Sequence, residues 1–293
     1  MGRDGLSDRV TAWRDAGRYL ELGGHRIFVH EQPGDGTTVL VLHGYPGSSH
    51  DFAEVVGRLS APVVAPDLLG YGFSDKPTRA TYSLFEQADL VEQVAREVGV
   101  QRCVLVAHDM GTTVAAELLA RHHEGRLSFD VDQVVLTNGS IFIDLARLTR
   151  GQRAGLRLRS WLPAVALPGA FVRRSLRESI APGTDVGAED LADLLGLIGR
   201  GGGRRVLLRQ LVYLEERRRH QARWTAGLVD FPGPVTAAWG LRDPIAIPAM
   251  VDRLGELRPA TTVVSWPDVG HWPSLEAPDR LAAVIRECVD SGG

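Results

Sequence analysis

Residues 104–113 read VLVAHDMGTT, and this stretch decides how the chain folds. The run from Val104 to Ala107 is apolar throughout, as expected of a buried strand. A helical pattern, TTVAAELLARHH, begins only a few residues later. The stretch therefore predicts a strand that turns sharply into a helix, with Asp109 at the tip of the turn.

The same alternation of strand and helix extends in both directions from this turn. It predicts a mostly parallel sheet with helices on both faces, the architecture of an α/β fold. The predicted strands are two short ones within 18–31 around the turn Gly23-Gly24, then 37–43, 63–65, 102–108, 133–138, 234–240 and 262–266. Predicted helices begin near Ser49 and Leu84 and cover 110–123 and 278–290.

The alternation is interrupted between residues 141 and 226. This block shows helical patterns and no convincing strand, with breaks at several prolines and at Gly201-Gly202-Gly203, where we expect a loop. It predicts a helical lid over residues 140–228, inserted into a core made of residues 1–139 and 229–293.

Composition narrows the class of protein. With 293 residues and 44% hydrophobic residues, the chain is long enough for one large α/β domain with an insertion. A net charge of −3 argues against a nucleic-acid partner. With no signal region and no membrane-spanning run, we expect a cytoplasmic protein without a membrane partner, either monomer or homodimer. The two cysteines lack metal spacing, so we expect buried thiols.

Asp109 stands where turns of this kind usually carry a nucleophilic serine. Ala107 and Gly111 flank it, so A-x-D-x-G replaces the pattern G-x-S-x-G. The small flanking residues allow a sharp turn, and the N-terminus of the following helix favours a negative charge. The alternative interpretation is an aspartate that only caps this helix.

An ionised aspartate can do chemistry that serine cannot. It has no proton to lose, so it can attack saturated carbon directly and form an alkyl-enzyme ester. A histidine is then free to activate water, which attacks the carbonyl carbon of the ester. This chemistry suits the opening of an epoxide or the displacement of a halide.

Two further residues follow later strands in the required order. Asp243 comes after strand 234–240, and His271 comes after strand 262–266. The order nucleophile, acid, histidine is typical of the α/β-hydrolase fold, with the acid orienting the histidine. The backbone N–H groups of Tyr45 and Met110 are predicted to form an oxyanion hole.

These motifs resemble the epoxide hydrolase and haloalkane dehalogenase group of α/β-hydrolases. The stretches HGYPGSSHDF, PDLLGYGFSDKP, AHDMG, GLRDP and GHW carry the resemblance and span residues 43–272. A closer likeness, to the branch of mesoderm-specific transcript proteins, rests on TYSLFEQADLVE, LTNGSIF and YLEERRRHQARW. The resemblance implies an α/β-hydrolase fold with a helical lid, a small apolar organic substrate, water as co-substrate and no cofactor or metal.

The chain departs from that group at two places. Most members have tryptophan after the nucleophile, where it helps to hold a halide in dehalogenases, and this chain has Met110. The epoxide hydrolases usually carry two lid tyrosines as acids, whereas Tyr213 is the only tyrosine in this lid and is either a proton donor or a core residue. Trp161, Trp224 and Trp272 are the predicted substrate contacts.

We therefore expect an epoxide hydrolase that forms a vicinal diol. A haloalkane dehalogenase is the second interpretation, and an esterase or lactonase and a non-catalytic ligand-binding protein are further ones.

Overall fold

The structure is a computed structural model that describes residues 6–158, 165–184 and 186–291. Its eight strands form one sheet in the order β1-β2-β4-β3-β5-β6-β7-β8. The strands are β1 (Gly17–Leu22), β2 (His25–Gln32), β3 (Thr38–Leu42), β4 (Val63–Pro66), β5 (Arg102–His108), β6 (Asp130–Thr137), β7 (Val235–Gly240) and β8 (Thr262–Trp266). Strand β2 is antiparallel to both neighbours, and all other pairs are parallel. The predicted mostly parallel sheet is confirmed.

Helices cover both faces of this sheet. They are α1 (Asp8–Asp15), α2 (Ala53–Val56), α3 (Leu84–Glu97), α4 (Met110–His123), α5 (Arg150–Leu158), α6 (Gly169–Arg177), α7 (Ala188–Gly199), α8 (Leu207–Gln210), α9 (Val212–Val229), α10 (Ala249–Leu257), α11 (Pro273–Glu276) and α12 (Pro278–Ser291). Two 3₁₀ segments cover Ser49–Phe52 and Arg200–Arg205. No helix in the described ranges is long and apolar enough to span a membrane.

The central strand β5 shows why its sequence is apolar without a break. Its alternate residues point to opposite faces of the sheet. Leu105 packs with the apolar side chains of α3 and α4, whereas Val104 and Val106 pack with those of α2 and α12. A strand covered on both faces needs apolar residues at every position. Cys103 and Cys288 are buried free thiols, as predicted.

Helices α5 to α9 form an insertion between β6 and β7, and the described residues between these strands contain no strand. Helix α9 packs along α4 so closely that a β-carbon on Gly227 would lie 2.5 Å from the carbonyl oxygen of Ala116. The buried Glu117 carboxylate of α4 accepts hydrogen bonds from Arg223 (2.7 Å) and Trp224 (3.0 Å) of α9. This contact fixes the helical insertion to the core.

The glycine triplet at 201–203 lies between α7 and α8, as the predicted loop between helices requires. Gly201 and Gly202 interrupt the 3₁₀ segment with non-helical φ angles of 57° and 81°. Left-handed backbone of this kind favours glycine, because it has no β-carbon to clash with the backbone.

Candidate active site

Asp109 occupies the turn from β5 into α4, and its backbone has the left-handed geometry φ 43°, ψ −113°. The turn is tight enough to require glycine nearby. A β-carbon on Gly111 would lie 2.4 Å from the carbonyl oxygen of Leu42, and one on Gly44 would lie 2.6 Å from Cβ of Asp109. Unfavourable backbone of this kind persists only where the surrounding structure enforces it, and it is concentrated at functional sites.

The carboxylate of Asp109 is oriented by the loop after β3. The backbone N–H of Tyr45 donates to Oδ2 of Asp109 at 3.0 Å. Asp109 is the N-cap residue of α4, so the amide N–H of Met110 belongs to the first turn of a helix, where N–H groups have no intrahelical acceptor. The predicted oxyanion-hole residues therefore lie directly beside the carboxylate.

Asp243 and His271 form a second buried pair at the same edge of the sheet. Nδ1 of His271 lies 2.7 Å from Oδ2 of Asp243, and both side chains are nearly inaccessible to solvent. The other oxygen of Asp243 accepts from the backbone N–H groups of Ile245 (2.6 Å) and Ala246 (3.0 Å). Asn138, at the end of β6, donates to Oδ2 of Asp243 at 2.8 Å.

The charges at this edge set the protonation of the two groups. Burial by itself lowers the pKa of His271, but the carboxylates of Asp243 and Asp109 outweigh it and raise that pKa to about 9. Burial raises the pKa of Asp243, yet the charge and hydrogen bond of His271 dominate and hold it below its usual value. The free site therefore favours a charged imidazolium beside an ionised Asp243.

The pKa of a neighbouring histidine, His108, is shifted in the opposite direction. Burial, and then the positive charge of His271, lowers the pKa of His108 to about 4, so this ring is neutral at ordinary pH. Its Nε2 lies 2.7 Å from the carbonyl oxygen of His271 and donates to it in the neutral tautomer. His108 does not line the cavity described below.

A cavity of about 620 Å³, its open mouth included, lies above these residues. Asp109 and His271 form its floor together with Tyr45 and Trp272, which come from the core. Two further core residues and the helical insertion provide the rest of the wall. The remaining cavity residues are Pro46 and Ile245 of the core and, from the insertion, Thr149, Gly151, Gln152, Leu167, Phe171, Val172, Ser175, Leu176, Ser179, Leu207, Leu208 and Leu211. The wall is mainly apolar, and the few polar groups allow a small organic molecule to be oriented.

The structure separates the three tryptophans predicted as substrate contacts from one another. Trp272 lines the cavity, but its indole N–H donates to Oγ of Ser179 at 2.8 Å. Trp224 lies against α4 and does not line the cavity, because its N–H is held by Glu117. Trp161 lies outside the described residues.

Tyr213 is buried in α9, directly behind the cavity wall. Its hydroxyl oxygen accepts a hydrogen bond from the side chain of Gln152 at 3.0 Å, and it is Gln152 that lines the cavity. The ring of Tyr213 lies 5.6 Å from that of Tyr45. Burial and the charge of Asp109 raise the pKa of both tyrosines, so both phenols stay protonated.

Three residues were missed by sequence reasoning. Asn138 could have been noticed as a polar residue directly after a buried strand. Glu276 accepts from the backbone N–H groups of Gly270 (2.9 Å) and Trp272 (2.9 Å) and so holds the His271 loop. Arg217 carries a guanidinium buried beside Asp109, and no sequence signal distinguishes it from the other arginines of the insertion. The described residues contain no cluster of histidine, cysteine or acidic side chains that could hold a metal ion.

Comparison with known proteins shows which family this chain belongs to. A family model described as the α/β hydrolase fold matches residues 37–278. The protein LipZ of Mycobacterium tuberculosis H37Rv is 42% identical over 290 residues, covering 97% of this chain and 99% of LipZ. The mesoderm-specific transcript protein of Mus musculus is 33% identical over 288 residues, covering 93% of this chain and 85% of that protein.

A solved structure extends the likeness to the fold. The haloalkane dehalogenase DbeA from Bradyrhizobium elkani superposes with a TM-score of 0.77, at 22% identity, over 94% of this chain and 98% of that one. The matched family model covers most of the chain, and the relatives align with nearly all of it. The protein belongs to the α/β-hydrolase family.

Proposed function

We propose that this hydrolase opens epoxides through an alkyl-enzyme ester on Asp109 and releases a vicinal diol. The observation that carries the proposal is the hydrogen bond from the Tyr45 N–H to Oδ2 of Asp109, at the floor of a mainly apolar cavity. It leaves Oδ1 as the attacking atom. It also holds Oδ2 where negative charge must develop when water later attacks Cγ.

The proposed reaction has two steps, formation of the ester and its hydrolysis. Oδ1 attacks an epoxide carbon, the carbon–oxygen bond of the ring breaks, and a tyrosine donates its proton to the departing oxygen. Neutral His271 then takes a proton from water as the hydroxide adds to Cγ. The tetrahedral intermediate collapses, the diol leaves with Oδ1 and receives the proton from His271, and Asp109 keeps the oxygen of water. The tyrosinate takes its proton back from solvent, and the acid so formed at Asp109 gives its proton to His271, which restores the free enzyme.

The electrostatics provide the order of the two steps. In the free enzyme the Asp109 carboxylate contributes to the raised pKa of His271. Alkylation removes that negative charge from Asp109, and once solvent has reprotonated the tyrosinate the site holds one negative charge fewer, so the pKa of His271 falls. The imidazolium then loses its proton to solvent and becomes a competent base only after the ester has formed.

Tyr45 and Tyr213 are the proposed acids. Tyr45 lines the cavity beside Asp109, and its hydroxyl has only a long contact of 3.4 Å, to the carbonyl oxygen of Leu207. Tyr213 reaches the substrate once the Gln152 amide moves aside. One acid from the core and one from the insertion would thus share the task that two lid tyrosines perform in the epoxide hydrolases.

The halide alternative has weaker support. The thioether of Met110 accepts a hydrogen bond from the hydroxyl of Tyr71 at 3.4 Å and offers no donor of its own. The indole N–H of Trp272, the other candidate donor, already binds Ser179. A departing halide would therefore find no free indole N–H among the described cavity residues.

The decisive experiment compares wild type with three variants on a styrene-oxide-like epoxide, a brominated alkane and an aryl ester. His271→Gln should be alkylated and fail to release product, with a stable adduct on the peptide that contains Asp109 in intact-mass and peptide analysis. Asp109→Ala should show neither adduct nor turnover, a loss of at least about 10⁴-fold. His123→Gln, which changes an exposed histidine, is the matched control.

Isotope placement checks the same mechanism. A single turnover in H₂¹⁸O should put ¹⁸O into Asp109 and none into the first diol released. If His271→Gln stays unmodified while Asp109→Ala retains activity, the covalent mechanism is wrong. Halide release without diol formation would instead assign the dehalogenase activity.

A further inference from the structure

Arg217 is a buried cation whose place in the fold is unexplained by packing alone. It lies on α9, is 1% exposed, and is among the largest fully buried side chains of the described protein. Its Nη2 donates to the backbone carbonyl of Asp109 at 3.1 Å, and its Nε donates to Oγ1 of Thr113 at 2.6 Å. Nη1 has no hydrogen-bond partner in the described structure.

Buried arginines are normally paired with a carboxylate. Within the described residues, the hydrogen bonds of Arg217 go to a hydroxyl and a backbone carbonyl, and none goes to a carboxylate. Burial lowers the pKa of Arg217, and the Asp109 charge is the main influence that raises it again. The nucleophile is therefore the charge that Arg217 faces.

The hydrogen bond to Asp109 has a second consequence. The carbonyl of Asp109 and the N–H of Met110 belong to one peptide unit. A cation on the carbonyl oxygen withdraws electron density through the amide and makes that N–H a stronger donor. Arg217 thus strengthens the Met110 N–H of the oxyanion hole through the carbonyl of the same peptide unit.

We propose that Arg217 is a positioning residue that speeds hydrolysis of the ester and not its formation, an inference that rests on the proposed function. The reason is the change of charge in each step. Alkylation moves one negative charge from the Asp109 carboxylate to the tyrosine that gives up its proton. The ring of Tyr213 lies 4.9 Å from the Arg217 guanidinium, so a cation close to both groups leaves this step nearly unchanged or opposes it. Attack of water converts the neutral ester into an oxyanion, so the same cation favours that step.

Transient kinetics on the wild type and Arg217→Met test this asymmetry. We expect the variant to slow ester hydrolysis by about 10², the usual effect of losing one positioned electrostatic contact, while the rate of ester formation stays the same or rises. The alkylated fraction at steady state, read by intact mass, should therefore increase. Arg217→Lys, which keeps the charge, should recover part of the hydrolysis rate. Arg218→Met, at the exposed neighbouring position, is the control.

A second readout needs no substrate. The chain has three methionines, Met1, Met110 and Met250, so ¹⁵N-methionine labelling gives a simple amide spectrum. The amide proton of Met110 should shift upfield in Arg217→Gln, where the charge is lost without adding a methionine, and that of Met250 should not move.

If Arg217→Met slows ester formation and ester hydrolysis equally, the proposal is overturned and Arg217 has only a structural role. An unchanged hydrolysis rate, or an unmoved Met110 amide, would overturn it as well. If Arg217→Met does not fold, Arg217→Gln serves both measurements. Failure of the proposed function looks different, because no ester would then form in wild type or in His271→Gln, while the Met110 shift would still report on the contact.

Discussion

The cavity is built from two regions that differ in how their side chains are held. In the strand-end half, which comprises Asp109, Asp243 and His271 at the ends of β5, β7 and β8, backbone N–H groups orient the two carboxylates. In the helical insertion, α5 to α9, mainly apolar side chains such as Leu176 and Phe171 face the cavity. The difference suggests that the sheet edge determines the reaction, and the insertion determines which molecules reach it.

The largest effect should come from the strand-end half. Asp243→Asn removes the charge that most raises the pKa of His271, so that pKa should fall below about 9. It also weakens the orientation of the imidazole, and we expect turnover to fall by about 10³–10⁴ while the ester still forms. Histidine NMR titration and intact mass measure the two effects. Asp268→Asn, which alters an exposed carboxylate, is the control, and a loss of less than tenfold in Asp243→Asn would refute the assigned role.

The two proposed acids belong to different regions of the protein. Tyr45 belongs to the core and Tyr213 to the helical insertion. Each single change to phenylalanine should lower epoxide turnover by about 10², because the departing oxygen loses one proton donor. Tyr82→Phe, at a buried tyrosine bonded to the Pro77 carbonyl, is the control. Steady-state kinetics on a good epoxide measure the loss of turnover in each variant. Unchanged turnover in Tyr213→Phe would show that Tyr213 is not a proton donor in the reaction.

The pH dependence should distinguish the two chemical steps. Hydrolysis needs neutral His271, so its rate should rise with pH. Its inflection should lie below the value of about 9 for the free enzyme, since alkylation removes the Asp109 charge. Between the inflection for ester hydrolysis and the free-enzyme pKa of about 9, we expect the hydrolysis rate to be nearly independent of pH. In this pH range His271 of the free enzyme is still protonated. Single-turnover rates set against an NMR titration test this. An inflection at or above the free-enzyme value would contradict the proposed order of events.

The smallest effect should come from the insertion. Phe171 is 41% exposed and lines the cavity. Phe171→Ala should change turnover of a small epoxide by only a few-fold, but it should alter the preference between small and bulky substrates by up to about tenfold, the range for contacts of a few methylene groups. The ratio of kcat/KM for two epoxides of different size measures it. A change in the ester hydrolysis rate would show that the two regions are not separable.

Much of the strand-end half was predictable because its signals are local or follow the order of the chain. The apolar run of β5 reads directly as a strand covered on both faces, and Asp109, Asp243 and His271 each follow a predicted strand. Parallel strands bring their carboxyl ends to one edge of the sheet, so residues far apart in the chain could be expected to meet. Their roles in the reaction remain predictions.

The insertion was predictable only as a block of helices. On α9, Tyr213, Arg217 and Trp224 lie within twelve residues, and periodicity alone does not say which side of the helix meets the core. The packing of α9 on α4 decided it, since it placed Trp224 against Glu117 and Arg217 against the Asp109 carbonyl. The sequence by itself determined the alternation of elements and the order of the polar residues, because both depend on backbone periodicity. Only the tertiary structure decided which side chains line the cavity and which lie behind it, because burial depends on contacts between elements distant in the chain.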